Sequence, residues 1–114
     1  MTLLEIFQLV AVIGTFATGL FSLFWPQNVE GFTGLSPVGG RGITEIRSIL
    51  GGVFIGLALA AFFLDHDVTY PMLGITYLVI ALVRTVSMFL DDSLVSSNYI
   101  SIATEVLFGV LLIL

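Results

Sequence analysis

Four ionisable side chains stand inside stretches of almost unbroken apolar residues: Glu45, Arg47, Arg84 and Glu105. Where the surrounding solvent is lipid, a lone charge near the bilayer centre costs from about 2.5 to over 10 kcal/mol, so such groups face a protein interior and find partners. Two cations and two anions sum to zero, the balance an intramembrane ion-pair network needs. At about 1.5 Å of rise per residue, Arg47, Arg84 and Glu105 lie roughly 6, 9 and 9 Å in from the nearest turn. Those turns fall on one side of an up-and-down arrangement, so the three charges reach nearly one level, with Glu45 at the rim. Such a cluster could hold the head of a lipid, a quinone or another small amphiphile, or could handle a proton. The alternative is purely structural: a network that ties helices together, or arginines that snorkel to the headgroups.

The residues around each charge are small or polar, which suggests inward faces. Arg47 shares its helical face with Thr44, Ser48 and Gly51, Arg84 with Tyr77, Ala81 and Met88, and Glu105 with Ser101 and Gly109. Glu45 lies about 200° around the helix from Arg47 and aligns instead with Gly52 and Gly56. The expected pairing is Arg84 with Glu105, and Arg47 with whichever acid is free.

Other polar groups carry less. Asp65, His66 and Asp67 combine carboxylates with an imidazole, a donor set that suits divalent metals, but in a tight turn they read as solvated turn residues, and no metal site is expected. Asp91 and Asp92 read as solubilising a helix end or pairing with Arg41. Glu5 suits the start of the first helix, where the macrodipole favours an anion. No nucleophile–base pair, phosphate-binding loop or haem ligand pair is recognisable, so the chain is not expected to be an enzyme. No cofactor is expected beyond a bound lipid or quinone.

The elements that must position these groups are four apolar stretches, at about residues 6–25, 43–64, 72–90 and 99–114. A membrane-crossing helix needs roughly 17–25 residues; the fourth stretch, at roughly 16, is short. Trp25 suits an interfacial aromatic belt, and Pro26 ends the first helix. The first stretch lacks the basic start and small-residue cleavage site of a signal peptide and reads as a retained helix. Pro71 suits the first turn of the third helix. The glycine-rich loop after Pro26 contains Phe32 and Leu35 and reads as a folded-back interfacial segment. Small residues recur every fourth position on two helices, Ala11, Thr15 and Gly19 on the first and Gly52, Gly56 and Ala60 on the second. Faces of this kind let helix backbones approach closely. They suit packing inside the chain's own bundle or, alternatively, a dimer face.

Composition supports the same architecture. The chain has 114 residues, 58% of them hydrophobic and 10% charged, with a mean hydropathy of +1.16. Soluble domains are about 25% charged. At this length a single transmembrane domain spanning residues 1–114 is expected, an all-α antiparallel four-helix bundle. Three basic residues against eight acidic ones, a net charge of −5, exclude the cation clusters that nucleic-acid binding requires. The absence of cysteine removes disulfides and thiol chemistry.

The segment from Gly42 to Gly56, carrying Glu45, Arg47, the pair Gly51–Gly52 and then Gly56, resembles the signature of a bacterial four-helix membrane family catalogued as domain of unknown function 4345. A Pro…Gly loop before it, here residues 26–34, an arginine in the third helix (Arg84) and a late acid (Glu105) extend the resemblance over most of the chain. It implies the fold and a place in the bacterial cytoplasmic membrane, and no chemistry. The plan is also similar to that of DoxX-like four-helix proteins, which are linked to redox complexes or to chaperoning of membrane partners.

Three functions are consistent with this reading. The first is an accessory or structural subunit, packing with other membrane proteins or with copies of itself in the bilayer. The second is a lipid-, quinone- or amphiphile-binding protein using the Arg/Glu cluster. The third is a small proton-coupled transporter; exporters of that size carry an acid midway along the first helix, where this chain has Val12, Ile13, Gly14 and Thr15.

Overall fold

Helix α1 (Leu3–Phe24) starts at a reciprocal cap. The Glu5 N–H donates to Thr2 Oγ1 at 3.1 Å and the Thr2 N–H donates to Glu5 Oε2 at 3.3 Å, the Thr-x-x-Glu arrangement that satisfies two free helix-start donors. The computed structural model describes every residue from Met1 to Leu114. At the other end Pro26 lacks an N–H to extend the ladder, and the chain turns through a short 3₁₀ segment, Pro26–Asn28, into α2 (Glu30–Thr33). This loop is folded back, as its apolar residues require: Val29 and Pro26 are buried, and Phe32 meets Phe21 of α1 edge-on with ring centroids 5.5 Å apart. Gly34 ends α2 at φ 73°, a left-handed conformation that favours glycine.

Three further helices follow: α3 (Gly39–Phe63), α4 (His66–Leu90) and α5 (Ser96–Ile113). There is no strand. With α1, these are four helices long and apolar enough to cross a membrane. Their starts correct the expected boundaries. Helix α4 begins at His66, not residue 72, because the Asp65 carboxylate caps it, accepting from the Asp67 N–H at 3.0 Å. Pro71 therefore sits inside α4, past its first turn, where it leaves the Asp67 carbonyl without its ladder donor. The Asp65 carbonyl accepts from both the Thr69 N–H and the Thr69 hydroxyl, which reinforces the turn before the proline. Helix α5 gains three residues at its start and runs for 18 residues, long enough to span.

Helix α3 is not uniformly α-helical. Residues Ile46–Val53 are wound as a π-helix, whose hydrogen bonds step five residues rather than four. That step brings Ile46 and Gly51, both buried, onto one side. It changes which glycines make contact. Sequence spacing assigned packing to Gly52, Gly56 and Ala60. In the structure Gly52 and Gly56 are exposed and Ala60 is partly so, and a Cβ on Gly56 would meet nothing within 4 Å. The contact belongs to Gly51: a Cβ on Gly19 of α1 would lie 2.9 Å from the Gly51 carbonyl oxygen and 2.8 Å from the Ile55 nitrogen. On α1 the assigned face is the packed one, since Ala11, Thr15 and Gly19 are all buried.

The chain divides into two compact units, one of Met1–Ala11 with Asp65–Leu114 and one of Val12–Leu64. In the first, α4 and α5 pack along each other. Gly74 and Gly109 mark the closest approach: a Cβ on Gly74 would lie 2.8 Å from the Gly109 carbonyl oxygen, and one on Gly109 would lie 2.6 Å from Leu78 Cδ2. Beside them Tyr77 meets Phe108 edge-on at 5.6 Å. The start of α1 is tied to the end of α5 by Gln8 Nε2, which donates to the Leu111 carbonyl at 2.9 Å. That carbonyl lies in the last turn of α5, where helical acceptors lack intrahelical partners.

Candidate functional site: the Arg84–Glu105 groove

Arg84 lies two turns beyond Tyr77 on α4, flanked on the same face by the buried Ala81 and Met88. The same packing buries Glu105 of α5, which is 7% exposed. A buried carboxylate requires compensation, and Arg84 supplies it bidentately. Its Nε donates to Glu105 Oε1 at 2.7 Å and its Nη2 to Oε2 at 3.1 Å. This matches the fork of a guanidinium to the two oxygens of a carboxylate, the strongest common geometry of such pairs. Arg84 Nη1 donates to Asn98 Oδ1 at 3.1 Å, and Asn98 Nδ2 donates to the Ser93 carbonyl at 3.0 Å. The network thus runs from α4 through α5 into the turn between them.

The expected pairing of Arg84 with Glu105 is present. Asn98 was not anticipated, although the signal existed: it stands seven residues before Glu105, on the same face of α5. The other two charges of the expected cluster have different partners. Glu45 pairs with Arg41, one turn earlier on its own helix. Arg47 pairs with no acid; its Nε donates to the Leu23 carbonyl at 3.1 Å, in the last turn of α1, where the helix end favours a cation. Asp65 is occupied in capping α4, and the His66 ring stacks on Tyr70 with centroids 4.5 Å apart.

Against the Arg84 network lies an open groove of about 460 Å³. It is lined by the apolar Val79, Ile80, Val83 and Met88 and by the polar Arg84, Ser87, Asp91, Ser93 and Asn98. The Arg84 side chain remains 31% exposed. A guanidinium carries five N–H groups. Three are engaged by Glu105 and Asn98, which leaves one on each Nη for a further acceptor. The Ser87 and Ser93 hydroxyls and the Asp91 carboxylate, all lining the groove, make no side-chain hydrogen bond or ion pair. The arrangement can hold an acceptor-bearing head against a fixed cation while an apolar chain lies along α4.

No family model matches the chain, and no curated protein or solved structure matches it.

Proposed function

We propose that the chain is an integral membrane protein, an antiparallel four-helix bundle, that binds a lipid-like amphiphile in the groove beside Arg84. The observation that carries the reading is the combination of a fixed Arg84–Glu105 pair with an adjoining groove lined by both apolar and polar side chains. Ligand sites are concave and mostly apolar, with a few placed polar groups that orient the ligand. Ionisable residues inside a membrane are expensive to keep and mark function by default. An amphiphile with a photoreactive acyl chain tests the proposal. Labelling at Val79 and Val83 is expected to saturate and to be competed by unlabelled amphiphile. Labelling at Leu59 of α3, an exposed apolar residue that does not line the groove, is expected to rise in proportion to concentration. Unsaturable labelling at all three positions overturns the reading.

The outward Gly52 and Gly56 favour a second reading, in which the chain also packs as an accessory subunit against another membrane helix. Small residues of this kind allow close backbone approach in lipid. Gly56→Leu is then expected to abolish crosslinking to that helix while leaving the fold intact, and undiminished crosslinking excludes this face.

A further inference from the structure

The polar groups of the groove occur in a definite order along α4. Asp91 caps the helix at its end, Ser87 lies one turn in, and Arg84 lies a further turn in. Val83, Ile80 and Val79 follow. Seven residues separate Asp91 from Arg84, about 10.5 Å of rise at about 1.5 Å each, and this spacing returns them to one helix face. The groove therefore reads, from the helix end inward, as an anion, hydroxyls, a cation with two free N–H groups, and an apolar wall.

The anion stands where an anion is disfavoured. The end of a helix carries partial negative charge and favours cations. Yet Asp91 is the residue that caps α4, Asp92 follows it at φ 51°, and neither carboxylate has a cationic partner in the chain. A local rule broken without internal compensation is a feature of functional sites. The deeper cation, in contrast, is already neutralised by Glu105, so it offers hydrogen-bond donors and little net charge. A ligand complementary to this order has a cationic head, then hydrogen-bond acceptors, then a carbonyl, then an apolar tail.

On the reading that the groove binds an amphiphile, we propose that its ligand is an amine-headed, zwitterionic glycerophospholipid of the phosphatidylethanolamine class. Its ammonium donates to the Asp91 carboxylate. Its phosphate accepts from the Ser87 and Ser93 hydroxyls. An acyl-ester carbonyl accepts from the free Nη N–H groups of Arg84, and the acyl chain lies along Val83, Ile80 and Val79. The order of groups in the lipid is the order of groups in the groove. Phosphatidylglycerol brings an uncharged glycerol to Asp91 in place of the ammonium, so the charge pair is lost, and a diacylglycerol has neither the ammonium nor the phosphate.

The test is native mass spectrometry of the delipidated full chain in detergent. It is supplied in turn with phosphatidylethanolamine, phosphatidylglycerol and diacylglycerol of the same acyl chains. Phosphatidylethanolamine is expected to be retained about fivefold better than either of the others, the scale of a partly exposed ion pair. Asp91→Asn, at an exposed helix end, is expected to bring its retention down to that of phosphatidylglycerol with the helical content unchanged. Equal retention of the three lipids, or an Asp91→Asn variant that still prefers phosphatidylethanolamine, overturns the assignment of the head while the amphiphile-binding reading stands. Retention of none of them overturns that reading itself.

Discussion

Each of the two compact units carries an arginine within the body of an apolar helix, Arg84 in one and Arg47 in the other, and joins two helices across glycines, but they complete that arginine differently. In the unit built on α4 and α5, Arg84 meets a carboxylate and an amide, Glu105 and Asn98, with a groove alongside. In the unit built on α1 and α3, Arg47 meets the Leu23 carbonyl, and the neighbouring acid, Glu45, belongs to Arg41. The difference lies in burial. Glu105 is held 7% exposed between α4 and α5, so its charge must be matched by a fixed partner. Glu45 is half exposed and needs none. An arginine paired with a buried acid becomes a rigid donor array, and an arginine on a helix-end carbonyl becomes a cap.

Removing one acid from each unit breaks the comparison most sharply. Glu105→Ala leaves Arg84 without its bidentate partner. Loss of one member of a buried pair costs about 3–5 kcal/mol; with Arg84 still partly exposed, about 2–3 kcal/mol is expected in reversible unfolding in detergent. Glu45→Ala, at an exposed pair, is expected to change stability by less than about 0.5 kcal/mol. Equal effects would mean that the two ion pairs are equivalent.

The glycines give the next largest effect. Gly74→Ala places a methyl against the Gly109 backbone and is expected to destabilise by about 1–3 kcal/mol, because the clash is with main chain that cannot rotate away. Gly56→Ala meets open space and is expected to be neutral or to stabilise by up to about 1 kcal/mol, the helix preference of alanine over glycine. The same unfolding measurement ranks the two. The smallest of the structural effects concerns the cap that lengthens α4: Asp65→Ala is expected to cost about 1 kcal/mol, seen as earlier fraying of residues 66–70 by hydrogen exchange.

These contrasts also mark what could be read from residue order. The four apolar stretches are the four long helices, since hydropathy and length act within a segment. The Arg84–Glu105 pair was legible for a related reason: two opposite charges in apolar surroundings at matching depth have few other partners. The packing glycines of α3 were not legible. The four-residue rhythm of Gly52, Gly56 and Ala60 presumes an α-helix, and the π-wound stretch Ile46–Val53 shifts contact to Gly51. Gly109 was legible only as a small residue on the face of Glu105, and its approach to Gly74 escaped because closeness between two helices leaves no mark in either alone. The early start of α4 was hidden by Pro71, whose helix-starting preference outweighed the capping capacity of Asp65. The groove was missed because it is a property of the packed α4–α5 pair and the turn that holds Ser93.

The central claim is that of the two arginine regions only the one beside the groove holds an amphiphile. Its most direct test is the lipid mass retained by Arg84→Ala and Arg47→Ala proteins purified side by side in mild detergent. Arg84→Ala is expected to lose bound lipid while Arg47→Ala keeps the wild-type amount. Equal retention by the two variants, or loss confined to Arg47→Ala, would contradict the account.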